Sequence, residues 1–323
     1  MDFPVSQEEV QGIGGTIQTI EAAIAKVFVG KKQVIRLLLT GFISGLHVLI
    51  EDVPGVGKTT LARSLSASLG LDFSRIQFTP DLLPGDIVGM NVWNQVRNEF
   101  IFKEGAIMHQ FVLADEINRA SPRTQSSLLE AMQEESVTVD GTTHGLPNPF
   151  FVVATQNPSS FTGSFHLPEG EIDRFGISFS IGYPEENDEG AILARFQVDD
   201  PIEALEPATE QGEVLELRAL VRKVHVEDSI RDFIISIMRK TRESSHLHLG
   251  ASPRGSQHLQ RAAQGRALVE GRNFVIPEDV IELAVPVLAH RVILSAESKM
   301  QGRKPSNIVQ RIVKQCAVPV GIE

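Results

Sequence analysis

The sequence predicts an α/β fold: a mainly parallel sheet with helices on both faces, followed by a smaller all-α domain. Three observations predict it. Short apolar runs alternate with helix-period segments over the first 198 residues. A glycine-containing loop joins the first apolar run to the helix after it. Beyond an acidic stretch near residues 199–212, only helical periodicity is legible. The expected organisation is therefore an α/β core over 1–198, an acidic linker over 199–212 and a helical domain over 213–323.

Ile13, Ile17, Ile20, Ile24 and Val27 recur at helical spacing, so Val10–Val27 reads as a helix. Val29-Gly30 breaks it, and Val34–Ser44 reads as the next helix. His47–Asp52 is a buried-strand pattern, and Lys58 to about Leu69 a helix. Four more strands are expected at Arg75–Phe78, Phe111–Ala114, Phe150–Ala154 and Ile177–Ile181. Between the third and fourth of the five strands, Ser121 is placed to cap a helix and Pro122 fits its first turn. Leu128, Leu129 and Met132 form its apolar face. After the linker, helices are expected at Glu213–Val224, Asp228–Arg242, Pro253–Val269, Pro277–His290 and near Asn307–Gln315.

Of the 323 residues, 42% are hydrophobic and 22% charged, which suits a chain that folds around a full core without disulfides. The net charge of −11 repels nucleic acid unless cations cluster, and only pairs such as Lys31-Lys32 and Arg239-Lys240 are seen. The single cysteine, Cys316, sits among Val313, Ala317 and Val318 and reads as a packed residue. With no internal disulfide, no secretory signal in MDFPVSQEEV and no uninterrupted apolar run of membrane-spanning length, a cytoplasmic location is expected.

The chemistry is concentrated in three strand ends. Asp52-Val53-Pro54-Gly55-Val56-Gly57-Lys58-Thr59-Thr60 is a phosphate-binding loop: glycines admit phosphate to the backbone and the following helix aims its first N–H groups at the anion. Lys58 reaches the β- and γ-phosphates, and the Thr59 hydroxyl is a Mg²⁺ ligand. Asp52 departs from the usual pattern, which has glycine there. Phe111–Glu116 is an apolar strand ending in two carboxylates; Asp115 is expected to hold Mg²⁺ through water and Glu116 to polarise the attacking water. Ala154-Thr155-Gln156-Asn157-Pro158 ends another strand, placing the Asn157 amide to orient that water. Arg174 and Arg254 are candidate cations for the transition-state charge. The expected nucleotide-contacting set is Val29, Gly30, Pro54, Gly55, Val56, Gly57, Lys58, Thr59 and Thr60, with ATP and Mg²⁺ as cofactors.

In this order the motifs resemble the AAA+ ATPases. The segments Asp81–Gly89, Ala114–Ala120, Gln125–Met132, Leu167-Pro168-Glu169 with Asp173-Arg174-Phe175, and Ile276–Val280 narrow the resemblance to the MoxR family. It covers Val10 to Gln315; one departure is Gly170, where alanine is commoner. The resemblance implies a P-loop AAA+ core with a helical lid, a helix-2 insert at Asn91–Phe102 and a hairpin at Val137–His144. It implies sensor-1, sensor-2 and arginine-finger roles for Asn157, Arg254 and Arg174, the last lying far from its own phosphate loop. It also implies assembly into a homo-oligomeric ring, usually a hexamer, and ATP-driven, chaperone-like remodelling of a protein client. A von Willebrand factor A domain partner and metal or cofactor insertion recur in the family. The alternative is a nucleic-acid motor, since relatives with the same insert include helicases. Such motors need cations on the hairpin, and Val137–His144 has none. The Phe161-Thr162-Gly163-Ser164 motif, known from transcription activators of the superfamily, is misplaced here and reads as a loop. His246 and His248 lack companions for a metal set, and Trp93 reads as a packing residue.

Overall fold

The structure, a computed structural model, describes residues 5–157, 165–197 and 200–319. The Phe161–Ser164 loop, Pro158 and the start of the acidic linker lie outside them. The elements are α1 (Gln7–Val27), α2 (Lys32–Ile43), β1 (Val48–Glu51), α3 (Lys58–Ser68), β2 (Phe73–Gln77), α4 (Pro84–Val88), β3 (Gly89–Asn94), β4 (Glu99–Glu104), β5 (Phe111–Asp115) and α5 (Pro122–Glu134). They continue with β6 (Ser136–Val139), β7 (Thr142–Gly145), β8 (Phe151–Gln156), α6 (Glu169–Ile172), β9 (Ile177–Phe179), α7 (Glu186–Arg195) and α8 (Gln211–Val221). The last are α9 (Asp228–Glu243), β10 (Leu247–Leu249), α10 (Pro253–Val269), α11 (Pro277–Leu288), β11 (Ile293–Leu294), α12 (Ala296–Met300) and α13 (Pro305–Gln315).

The five expected strands form one parallel sheet in the order β2-β5-β8-β1-β9. Side chains alternate across it, as period-2 geometry requires. Val48, Ile50, Leu113, Val153 and Ile177 face a core shared with α1, α2, α3 and the lid helices. Leu49, Val112, Ala114 and Val152 face a second core with Leu128, Leu129 and Met132 of α5. Ser121 caps α5 as expected, its hydroxyl accepting from the Thr124 N–H.

Two expectations are refined. The insert is a β-hairpin: β3 and β4 pair antiparallel from Gly89↔Glu104 to Asn94↔Glu99. The lid is helical but not purely so, because β10 and β11 form a two-stranded ribbon. Strands of two and three residues are too short to carry a period in sequence. Helices α7 and α12 were likewise absent from the sequence reading. No α7 residue is buried, so no apolar stripe announces it. Cys316 is buried, with its thiol bonded to the Ile312 carbonyl. Among the described residues, no helix is long and apolar enough to cross a membrane.

Candidate functional site

In a parallel sheet the loops after the strands gather at the carboxyl edge, where β1, β5 and β8 deliver the three motifs. Gly55 (φ +84°) and Gly57 (φ +90°) adopt left-handed backbone that lets the chain curl into the first turn of α3. The N-terminus of α3 has no side-chain cap, so its N–H groups face the loop. This cradle fits a triphosphate. Burial pulls the Lys58 ammonium pKa down, and Asp52, Asp115 and Glu116 oppose that pull, so the structure brings the four charges together. The ammonium donates to the carbonyls of Asp52 (2.6 Å) and Val53 (3.1 Å).

The two carboxylates have different surroundings. Asp115 is buried; its Oδ1 accepts from Thr155 Oγ1 (2.6 Å) and its Oδ2 from Arg75 Nη2 (2.6 Å). Glu116 adopts a left-handed backbone (φ 56°), uncommon for a non-glycine residue and a form of strain found at working sites. Its N–H donates to Thr155 Oγ1 (2.8 Å), so one hydroxyl ties both acidic residues to β8. Its carboxylate accepts from Arg119 Nη1 (3.0 Å) and Gln77 Nε2 (3.4 Å). Asn157 follows β8 directly, and its carbonyl accepts from Asn118 Nδ2 (3.3 Å).

The departure at Asp52 has a structural account. One carboxylate oxygen accepts from Ser180 Oγ (2.8 Å), Ile181 N–H (2.7 Å) and Gly182 N–H (2.7 Å). The other accepts from Val53 N–H (2.8 Å). Burial pushes the Asp52 pKa up, and bonds from Gly182, Ser180, Val53 and Ile181 outweigh it, leaving the pKa below the ordinary value. Asp52 thus fastens the phosphate loop to the segment after β9. Glu51 adds a second fastening: it accepts from Gln156 Nε2 and Ser178 Oγ (3.1 Å), joining β1 to β8 and β9.

A cleft beside this loop is lined by Val29, Gly30, Gly55, Val56, Gly57 and Thr60 of the expected set. Its remaining wall includes Phe28, Ile181, Tyr183, Pro184, Ile192 and Phe196, with Lys31 and Asp188 as its charged members. Sequence reading missed that wall, which carries no motif; Tyr183 to Phe196 bracket the unlegible α7. The apolar wall with few polar groups suits a nucleobase. Among the described residues, no group of three or more His, Cys, Asp or Glu side chains is arranged to hold a metal ion. A Mg²⁺ ion held by one hydroxyl, one carboxylate, water and phosphate oxygens needs no such group.

Comparison with known proteins agrees with this geometry. Residues 47–177 match the ATPase family associated with various cellular activities (AAA), and residues 239–312 match the AAA lid domain. Chaperone MoxR1 of Mycobacterium tuberculosis (strain H37Rv) is 38% identical over 321 residues, covering 96% of this chain and 85% of the relative. The chain belongs to the MoxR family of AAA+ ATPases. The uncharacterised protein YeaC of Bacillus subtilis (strain 168) is 48% identical over 297 residues, covering 92% of this chain and 93% of YeaC. A crystal structure from Cytophaga hutchinsonii, described as a candidate ATPase, superposes with a TM-score of 0.90 at 36% identity, covering 97% of this chain and 98% of that one. The MoxR chain is thus an ATP-hydrolysing enzyme with a nucleotide-binding core and a helical lid.

The same structure sorts the MoxR arginines. Arg174 precedes β9, whereas the Asp52 carboxylate is bonded to residues just after it. The two therefore lie at opposite ends of β9, which pairs with β1. Arg174 Nη1 donates to the Leu129 carbonyl of α5 (2.7 Å). Arg254 is not at the phosphate loop either: its Nη1 lies 3.7 Å from Asp173 Oδ2. Asp173 also accepts from Ser252 Oγ (2.9 Å) and Arg291 Nη1 (2.7 Å). Arg291, fully enclosed, donates further to the carbonyls of Val287 (2.7 Å), Asp173 (2.8 Å) and Phe175. Sequence reading missed Arg291 because its partners are distant in the chain. It joins the lid to the turn that carries Arg174.

Proposed function

We propose that this ATPase works as a homo-oligomeric ring, expected to be hexameric, in which Mg²⁺-ATP hydrolysis remodels a protein client. The observation that carries the reading is the place of Arg174, next in the chain to the Asp173 that pairs with Arg254, at the opposite end of β9 from the phosphate loop. Even the three-residue β9 sets roughly 10 Å of strand between those ends. Arginines placed there serve the nucleotide of the next subunit, and a head-to-tail contact of this kind closes into a ring.

Within each site, Lys58 and the α3 N-terminus bind the phosphates, and Thr59 and Asp115 would hold Mg²⁺, which would supply positive charge against the triphosphate. Glu116 takes the proton of the attacking water once released from Arg119 and Gln77, and Asn157 orients that water. The client reading draws on the chaperone name of a 38% identical relative. A von Willebrand factor A domain partner, metal or cofactor insertion and a cytoplasmic location follow the family pattern. A nucleic-acid motor is disfavoured: the β6–β7 hairpin, Ser136 to Gly145, has no Lys or Arg.

Subunit mixing tests the ring. Arg174→Ala should bind ATP normally and hydrolyse it on the order of a thousandfold more slowly. Mixed with Lys58→Ala, it should regain part of its activity, because one subunit supplies the arginine and the other the intact loop. If sedimentation shows mixed rings while activity stays at the level of the separate variants, Arg174 does not act across the interface.

A further inference from the structure

A second cleft, of about 1260 Å³, opens between the end of α2, the end of α5 and the lid helices α8, α9 and α10. It is strongly cationic in an acidic chain: Arg218, Arg222, Lys223, Arg231 and Arg261 line it against one carboxylate, Glu135. Arg231 pairs with Asp228. Among the described residues, Arg218, Arg222, Lys223 and Arg261 form no ion pair. Arg218 lies over the Phe42 ring, 5.6 Å from its centroid. The cleft also exposes apolar surface at Leu215 (36%) and Ile235 (52%). It exceeds the roughly 300–1,000 Å³ of small-ligand pockets, so its shape suits a polypeptide with carboxylates and apolar groups together.

This chain displays such a segment. Glu185 occupies the N-cap position of α7, and Glu186, Asp188 and Glu189 stand in its first turn. Tyr183 (72% exposed) and Leu193 (76%) stand out beside these acids. No α7 residue is buried, although a short helix in water needs tertiary packing to be stable. We propose that α7 of a neighbouring copy docks in the cationic cleft.

The proposal rests on the ring reading above and deepens it. The cleft adjoins the Arg174 turn through His258, whose Nδ1 contacts the Arg291 guanidinium that holds Asp173 (2.6 Å and 2.7 Å). It adjoins the same turn through Glu135, the C-cap of the helix whose Leu129 carbonyl Arg174 bonds. On the other side, α7 walls the nucleotide cleft through Asp188 and Ile192. One head-to-tail contact therefore brings Arg174 toward the neighbour's nucleotide and the cationic cleft onto its acidic helix. Nucleotide occupancy and subunit contact then share one element, α7.

The test is sedimentation velocity of the full chain with ATP and Mg²⁺. Glu186→Lys with Glu189→Lys, and separately Arg222→Glu with Arg261→Glu, should each weaken assembly at least about tenfold, and all four changes in one chain should restore most of it. Assembly of the unmodified chain should weaken with added salt. Leu193→Asp should weaken it too; that side chain supports no core, so the variant keeps its circular dichroism spectrum and separates docking from folding. If the unmodified chain assembles and none of these variants alters it, the α7 contact is wrong while the ring reading stands. If the unmodified chain stays monomeric with nucleotide, both fall. If the arginine reversals leave assembly intact but abolish binding of inorganic polyphosphate, the cleft is a site for free anions and the docking is refuted.

Discussion

Asp52→Asn is the sharpest probe of how the phosphate loop is held. The carboxylate accepts four hydrogen bonds at 2.7–2.8 Å from Val53, Ser180, Ile181 and Gly182. A charged acceptor adds roughly 1 kcal/mol per bond over a neutral one. Asparagine also sets an amide NH₂ against at least one of those donors. After local relaxation the loss is about 3 kcal/mol. For a chain of 323 residues that lowers Tm by roughly 4 °C, readable by calorimetry. The Ile181–Pro184 segment walls the base cleft, so the KM for ATP should rise while kcat changes little, the pattern of lost uniform binding. The pH dependence carries a sign. The folded Asp52 pKa lies below the unfolded value, so its contribution is present above the unfolded pKa and is lost as pH falls through the folded pKa. That acid-side loss should shrink in the variant. A Tm within about 1 °C of the parent, with unchanged KM, would refute the fastening role.

Other outcomes follow from the same geometry. Lys58→Ala should abolish ATPase activity, and turnover within about twofold of the parent would overturn the loop assignment. Glu116→Gln should still bind Mg²⁺-ATP by titration calorimetry while losing about a hundredfold or more in kcat; an equal loss of binding would contradict the division of labour with Asp115. Arg291→Met should cost roughly 2–4 kcal/mol in denaturant unfolding, since it strips the enclosed guanidinium's bonds from the Asp173 carboxylate and from the carbonyls of Val287, Asp173 and Phe175; it should also depress the ATPase by loosening the Arg174 turn. His47, half-buried, has its pKa pushed down to about 4 by burial. Its Nδ1 accepts from Val152 N–H (3.0 Å) and its Nε2 donates to the Met132 carbonyl (3.1 Å), which suits the neutral ring. An unfolded histidine takes up its proton near pH 6.5, so stability should fall by up to roughly 3 kcal/mol as pH drops from about 6.5 to 4 and stay flat above 7. A Tm independent of pH across that window would contradict it.

The sequence by itself determined the order of the core elements and the contiguous motifs. Lys58 and Thr59 were legible as candidates because they open the helix after a glycine loop, and Asp115, Glu116 and Asn157 because each ends or directly follows an apolar strand; a parallel sheet gathers these segments at one edge. Ser121-Pro122 and Pro253 marked helix starts because capping chemistry is local. Only the tertiary structure decided the rest. Phe28, Tyr183 and Phe196 meet across more than 150 residues to wall the base cleft, and no spacing encodes that meeting. Helix α7 escaped notice because it buries nothing and so lacks a period. The insert became a hairpin through cross-strand pairing, visible only once Gly89 faced Glu104. Arg254 and Arg291 lie 81 and 118 positions from Asp173, and that one carboxylate draws both to the turn that carries Arg174. Local chemistry is written in neighbouring residues, whereas a long-range ion-pair network exists only after the core has brought its members into contact.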